Sequence, residues 1–243
     1  MEVLIVGAGA MGRWFGDAVD ATPVFTDLDE DAAASAAAAV GGRVAASDER
    51  YAVVCIAVPM SAVEAAVAEY ADRARAAIVD VTGVMAAPIA AMNAHAPELE
   101  RVSFHPLFAP ENAPGNVAVV ADNPGPVTDE LRASLAAADN QLFESTSAEH
   151  DRAMEDVQAG AHAAVLAYAL ATEDVPERFQ TPISRGLEEL VEQVTGNNPA
   201  VYSEIQSTFD GADDVAAAAR RIAAADDEAF ERLYRGAGRN DDE

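Results

Sequence analysis

The residues Val3-Leu4-Ile5-Val6-Gly7-Ala8-Gly9-Ala10-Met11-Gly12 constrain this chain more than any other stretch. A four-residue apolar run that meets G-x-G-x-x-G at once describes a buried strand turning into a helix, the layout of a dinucleotide-binding βα unit. Gly7 permits the tight turn, Gly9 removes the Cβ that would hold a pyrophosphate off the backbone, and Gly12 lets the helix pack closely on the strand. The free N–H groups and the positive dipole end of that helix favour an anion at its start. Gly7, Ala8, Gly9, Ala10, Met11 and Gly12 are therefore the expected cofactor cradle; the competing reading is a tight βα turn that binds nothing.

The next apolar run, Val24-Phe25-Thr26, ends at Asp27, 20 residues beyond Gly7. An acid there is placed to accept hydrogen bonds from a ribose hydroxyl and would repel a 2′-phosphate. Asp29 and Glu30 follow with no arginine close in sequence, so NAD is expected rather than NADP; the alternative for Asp27 is a cap for the alanine-rich helix over 32–40. Strand runs at 52–58 and 77–81, separated by a helix through Val63, Ala66 and Tyr70, continue the alternation of a parallel, doubly wound sheet. Val58 and Pro59 close the first of these runs at the edge where such sheets bind ligands, and Asp80-Val81-Thr82-Gly83-Val84-Met85 closes the second. Cys55, the single cysteine, sits inside an apolar strand and reads as a small core residue rather than a nucleophile. An apolar run then delivers His105 between Phe104 and Pro106 into a proline-flanked turn, which suits a positioned acid or base as well as it suits a structural histidine. The strand Asn116–Ala121 is expected to complete the sheet.

Beyond about residue 145 only helical periods remain, which sets expected domains at 1–145 and 146–243. Thr146-Ser147-Ala148-Glu149 reads as a capping box opening one long helix, along which His150, Met154, Gln158 and His162 recur every four residues on a slowly drifting face. Pro182 starts a further helix that carries Arg185 and is stopped by Gly196-Asn197, and Asn198-Pro199 start the next. The terminal Asn240-Asp241-Asp242-Glu243 is expected to be disordered. The fold class that follows is α/β, a Rossmann-type doubly wound parallel sheet followed by an all-α domain. So much apolar surface on a helical domain of this size makes a homodimer the expected state.

Three stretches together resemble the prephenate dehydrogenase family: Ser103-Phe104-His105-Pro106-Leu107-Phe108-Ala109-Pro110; Glu149-His150-Asp151-Arg152 running on to Val157-Gln158 and His162; and Thr181-Pro182-Ile183-Ser184-Arg185 with Asn198-Pro199-Ala200-Val201-Tyr202. The resemblance implies a nucleotide domain followed by a helical substrate and dimerisation domain. It implies NAD-dependent oxidative decarboxylation of prephenate or arogenate, in tyrosine biosynthesis. It casts His105 as the base on the ring hydroxyl, and Arg185, Gln158 and His162 as substrate-binding residues, with the arginine on a carboxylate. Where the family reads D-x-x-S-V-K, this chain has Gly83 and Met85 in place of the serine and lysine, so Thr82 becomes the candidate hydroxyl and His162 a second catalytic candidate. A dehydrogenase of another small acid and an NAD-binding regulatory protein without turnover are the alternatives. The four histidines lack metal-ligand spacing, so no metal is expected.

Charge narrows the setting. The 243 residues carry 15 basic and 42 acidic side chains for a net charge of −27, and every basic residue is arginine. Such a surface repels nucleic acid and anionic membranes, which leaves a small molecule as the expected partner. The first strand begins at residue 3 and no apolar run approaches a membrane span, so the expected location is the cytoplasm. At molar salt the Debye length falls to about 3 Å and self-repulsion largely vanishes. Abundant alanine, few aromatics and missing lysine resemble proteins of halophilic archaea. Thermal stability should therefore rise steeply from dilute buffer to molar KCl; a melting temperature flat across that range removes the salt-adapted reading.

Overall fold

Val/Ile-rich runs without alternation belong to strands buried on both faces, and here they assemble one eight-stranded sheet. The structure is a computed structural model describing residues 1–173 and 175–238, so the expectation for Asn240–Glu243 lies outside the described residues. The strands are β1 (Glu2–Val6), β2 (Thr22–Thr26), β3 (Arg43–Val44), β4 (Tyr51–Ile56), β5 (Ala74–Asp80), β6 (Glu100–Pro106), β7 (Asn116–Asn123) and β8 (Gln141–Glu144), in the order β3-β2-β1-β4-β5-β6-β7-β8. Every neighbouring pair is parallel except β6 with β7, which is antiparallel. The period-2 alternation of strands divides the core. Val3, Ile5, Val53, Cys55, Val79, Val102 and Phe104 pack on one face with Phe15 and Phe25, while Leu4, Val6, Val54, Ile56 and Ile78 pack on the other with Val63, Val67 and Met92. Cys55 is fully buried and burial pushes its thiol pKa up, as befits a core residue.

Five helices connect these strands: α1 (Ala10–Ala18), α2 (Glu30–Val40), α3 (Val63–Tyr70), α4 (Ala86–His95) and α5 (Pro126–Ala137). The cap of α2 is Asp29, whose carboxylate accepts from Asp31 N and Ala32 N, so Asp27 is released from that role. The sheet departs from expectation at its far edge. Asn116–Ala121 is not the last strand, because β8 pairs beyond it; β8 is short and mostly exposed, so it carries no apolar run that sequence patterning could register.

The chain divides into two compact units, Met1–Arg152 and Ala153–Glu243. The expected boundary stood at 145. The first turn of α6 (Ser147–Met154) goes with the first unit because His150 and Asp151 hydrogen-bond into it. Thr146 Oγ1 accepts from Glu149 N at 3.2 Å and starts that helix as read from the sequence. The expected single long helix is nonetheless broken. A π-helical turn, Glu155–Gly160, precedes α7 (Ala161–Ala171), and the Gln206 side-chain amide donates to the Ala159 carbonyl within that turn at 2.9 Å. The second unit continues with α8 (Pro182–Thr195), α9 (Pro199–Thr208), α10 (Gly211–Ala223) and α11 (Asp227–Ala237). Thr181 and Ser184 form a reciprocal capping box at the start of α8. Every residue of α7 except His162 is apolar, yet none is buried in the monomer. Among the described residues no helix is long and apolar enough to cross a membrane.

Two glycines of the first loop are demanded by the fold. Gly7 has φ +104°, and a Cβ there would stand 2.3 Å from the Ala57 carbonyl oxygen; one on Gly12 would stand 2.1 Å from the carbonyl oxygen of Gly7. A Cβ on Gly9, by contrast, meets nothing within 4 Å. Gly12→Ala should lower stability by about 1–3 kcal/mol, since backbone must move. Gly9→Ala should keep the wild-type melting temperature and weaken dinucleotide binding. Calorimetric melting and cofactor titration of the two variants check this; equal melting losses would contradict it.

Candidate active site

The strand order reverses direction between β1 and β4, and in open parallel sheets the crevice at such a reversal is where ligands bind. On one side of it lies the glycine loop, buried at Gly7, Ala8 and Gly12, exposed at Gly9 and Ala10 and half-buried at Met11. Helix α1 begins there without a side-chain cap, which leaves its first N–H groups for an outside acceptor. Asp27, at the end of β2, accepts from Ala8 N through Oδ2 at 2.7 Å and from Asp29 N through Oδ1 at 3.0 Å. Its carboxylate is thus held against the loop. Arg13 Nε donates to the Ala8 carbonyl at 3.1 Å, so an arginine does stand at the loop, brought there by the first turn of α1. On the other side half-buried Val58 and exposed Pro59 follow β4.

His105 lies inside β6, not in a turn: its register partner is Ala118 on β7, and it is 6% exposed. Its Nδ1 is 2.8 Å from His150 Nε2, the two rings meeting edge to face with centroids 5.0 Å apart. His150, 3% exposed, places Nδ1 2.8 Å from Asp151 Oδ1. Asp151 also accepts from Met85 N at 2.9 Å and Ala86 N at 3.0 Å, the entry to α4. Burial pushes the His105 pKa down to about 3, helped by the neighbouring His150 and partly opposed by Asp151. For Asp151 burial alone would raise the pKa; the bonds from His150, Met85 N and Ala86 N outweigh it and hold the carboxyl below its ordinary value.

The ends of β4, β5 and β6 converge at Gly83. A Cβ on Gly83 would stand 3.2 Å from Met60 Sδ and 3.6 Å from His105 Nε2, so the outward nitrogen of His105 borders the residues that follow Pro59. Just beneath, Asp80 is fully buried and burial lifts its pKa to about 7, against the hydrogen bonds it accepts from Thr82. The Thr82 hydroxyl, expected to serve catalysis, lies 2.7 Å from Asp80 Oδ1 and 3.1 Å from the Val84 carbonyl and is itself buried. It braces Asp80 and is not presented to a ligand. Met85, at the position of the family's lysine, is fully buried with Ala118, Val120 and Ile89, so an ammonium there would have to enter an apolar pocket.

The remaining sequence candidates belong to the second unit. Gln158 falls within the π-helical turn, a local geometry that often marks functional segments. His162 on α7 meets the Tyr202 ring with centroids 4.7 Å apart, and burial lowers its pKa, so it is neutral near pH 7. Arg185 is exposed on the first turn of α8, and its guanidinium makes no ion pair among the described residues. Sequence reasoning left His150 and Asp151 out of the site, although an acid directly following a histidine in Glu149-His150-Asp151 was the available signal.

Comparison with known proteins agrees with this geometry. Residues 23–121 match the profile of the prephenate dehydrogenase nucleotide-binding domain. The 4-amino-4-deoxyprephenate dehydrogenase of Streptomyces pristinaespiralis is 31% identical over 235 residues, covering 86% of this chain and 78% of its own. The fold is shared with prephenate dehydrogenase from Aquifex aeolicus, solved with hydroxyphenyl propionate and NAD+ (TM-score 0.72, 14% identity, covering 98% of this chain and 96% of that one). It is shared also with Synechocystis arogenate dehydrogenase (TM-score 0.64, 15% identity, 97% of each chain). A nucleotide-domain match, a relative aligned over most of both chains and a buried histidine at the strand-end crevice lead to one statement: the chain belongs to the prephenate dehydrogenase family of NAD-dependent oxidoreductases.

Proposed function

We propose that the protein oxidatively decarboxylates prephenate or arogenate with NAD, using His105 as the base. The observation that carries the reading is the convergence at Gly83, where the outward nitrogen of a buried, neutral histidine borders the carboxyl ends of β4 and β5. Asp27 against the glycine loop and the open space at Gly9 suit the ribose and pyrophosphate of the dinucleotide. Bound there, the cofactor supplies a hydride acceptor. As the ring carbon bearing the hydroxyl gives up its hydride, His105 Nε2 takes the hydroxyl proton. The resulting dienone loses its ring carboxylate as carbon dioxide, the electron pair of the broken bond restoring the aromatic ring. His105 then returns the proton to the phenolate, so no net proton is consumed. Arg185 is the residue for a substrate carboxylate, by a charge-assisted and bidentate contact, with Gln158 and His162 as further substrate contacts.

A second substrate is favoured by a specific observation. The Streptomyces pristinaespiralis relative is named for 4-amino-4-deoxyprephenate, whose ring carries an amine where prephenate carries the hydroxyl, and Gly83 brings no side-chain hydroxyl to His105 Nε2 where the family places a serine. Turnover of prephenate, arogenate and 4-amino-4-deoxyprephenate measured side by side in molar KCl separates these readings. Binding of NAD with no hydride transfer from any of the three would overturn the enzyme.

The second unit supports a homodimer. Leu170, Phe179, Ile183 and Tyr234 are 88%, 64%, 77% and 74% exposed, and no residue of the largely apolar α7 is fully buried, a pattern that a second copy would relieve. The lysine-free, strongly acidic composition supports a salt-rich cytoplasm, of the kind found in halophilic archaea, as the working environment.

Two outcomes follow for the base. His105→Asn should bind NAD as the wild type does and lose about 10²–10⁴ in kcat, the usual worth of a positioned general base; wild-type turnover would move the role to another residue. A histidine titrating at about 3 stays unprotonated down to mild acid. The value of kcat/KM should therefore hold between pH 7.5 and 5.5, where an ordinary imidazole near 6.5 would bring a fall of about tenfold. Such a fall in a pH–rate profile would mean that the ring is solvated when it works.

A further inference from the structure

Beyond naming the base, the hydrogen bonds behind His105 determine which of its nitrogens can act. A carboxylate only accepts hydrogen bonds, so the His150 nitrogen facing Asp151, Nδ1, must carry a proton. A neutral imidazole has one N–H, which makes His150 Nε2 an acceptor. The nitrogen 2.8 Å away, His105 Nδ1, must then be the donor, and the lone pair of His105 resides on Nε2. That is the nitrogen bordering the position a Gly83 Cβ would take. We propose that Asp151 and His150 are positioning residues which fix the tautomer and the orientation of His105, so that Nε2 is the proton acceptor of the reaction.

The arrangement requires a neutral His150, and the geometry matches that form: Nδ1 faces the Asp151 carboxylate and Nε2 faces the His105 ring nitrogen. Asp151 in turn accepts from the N–H groups of Met85 and Ala86. Those groups open α4, a ten-residue helix whose positive dipole end favours the carboxylate there. The helix end therefore fixes Asp151, Asp151 fixes His150, and His150 fixes His105. Proton uptake disturbs nothing behind the base: the His105 imidazolium still donates Nδ1–H to His150 Nε2, and the charge gained lies one ring away from the Asp151 carboxylate. A base that changes charge without rearranging its neighbours has little reorganisation to overcome.

The inference rests on the dehydrogenase reading only for what the proton comes from, and its first test needs no turnover. Nitrogen-15 spectra of the full chain labelled at histidine, in molar KCl, report the tautomer of each ring. Assignment comes from the set of signals lost in His105→Asn and the set lost in His150→Phe. The expected result is that His105 and His150 are both neutral and both protonated on Nδ1. A proton on His105 Nε2, or a doubly protonated His150, overturns the proposal whether or not the chain turns over any substrate. Removing the acceptor in His150→Phe should shift His105 toward the Nε2–H form and lower kcat about 10²-fold with the NAD dissociation constant unchanged. Asp151→Asn should likewise lower kcat and alter the His150 signals. Retention of both the wild-type His105 tautomer and wild-type kcat in the two folded variants would assign these residues to structure alone and overturn the proposal.

Discussion

Level, parallel pairing across the middle of the sheet is the constraint from which the site follows. Val6 pairs with Ile56, Ile56 with Asp80, and Asp80 with Ser103, so the residues leaving β1, β4 and β5 all start at one edge. The glycine loop, the Ala57–Met60 segment and the Val81–Met85 turn are neighbours for that reason alone. A slip of one residue in any pair would turn apolar side chains out of the core, which makes this register expensive to lose. His105 lies two residues beyond Ser103 on the same face of β6. There the parallel partner has ended, and the antiparallel β7 holds the strand through His105↔Ala118 and Pro106↔Val117. The reversal of one strand is what carries a histidine past the edge of the parallel sheet and still keeps it buried.

Features written locally were legible in the sequence. The glycine loop, the apolar strands β1, β2, β4, β5 and β6, the caps at Thr146 and Thr181 and the start of α9 at Asn198 all announce themselves in a few adjacent residues. What long-range pairing decides was not. β3 is two residues long and β8 is four, mostly exposed, so both exist only because a neighbouring strand offers hydrogen bonds. The π-helical turn at Glu155–Gly160 leaves no mark on a four-residue period, and the recurrence of His150, Met154, Gln158 and His162 therefore read as one unbroken helix. A hydroxyl makes Thr82 a candidate in the sequence, but a hydroxyl next to a buried carboxylate bonds to it, and only the structure shows that Asp80 is buried. Likewise the role of Asp151 depends on α4, whose first N–H groups lie 65–66 residues away in the chain.

His105 and Asp80, two buried ionisable groups of the candidate site, pull stability in opposite directions with pH. His105, lowered from 6.5 to about 3, leaves the fold unpenalised above pH 6.5 and costs progressively more as pH falls through about 3. Asp80, raised from 3.8 to about 7, costs nothing below 3.8 and progressively more as pH rises through about 7. Their slopes oppose one another across the interval between 3.8 and 6.5. The site thus holds an unprotonated imidazole above a carboxyl that is partly protonated near neutrality, and the fold carries both without a steep dependence in mild acid from this pair.

The two departures from the family pattern make sense once the contributing atoms are separated from the side chains. At position 85 the site uses the backbone N–H, which bonds Asp151, while the Met85 side chain fills an apolar pocket with Ala118, Val120 and Ile89. At position 83 there is no side chain, and a Cβ there would press on Met60 Sδ at 3.2 Å and approach His105 Nε2 to 3.6 Å. The groups behind His105 are accordingly one buried ring, one carboxylate at a helix end and the backbone N–H donors on that carboxylate, none of them an exposed ammonium. Exposed ion pairs weaken as the Debye length falls toward about 3 Å at molar salt, whereas buried hydrogen bonds are screened far less. A net charge of −27 repels itself less as salt rises, and the hydrogen bonds behind His105, being buried, are weakened least under the same conditions.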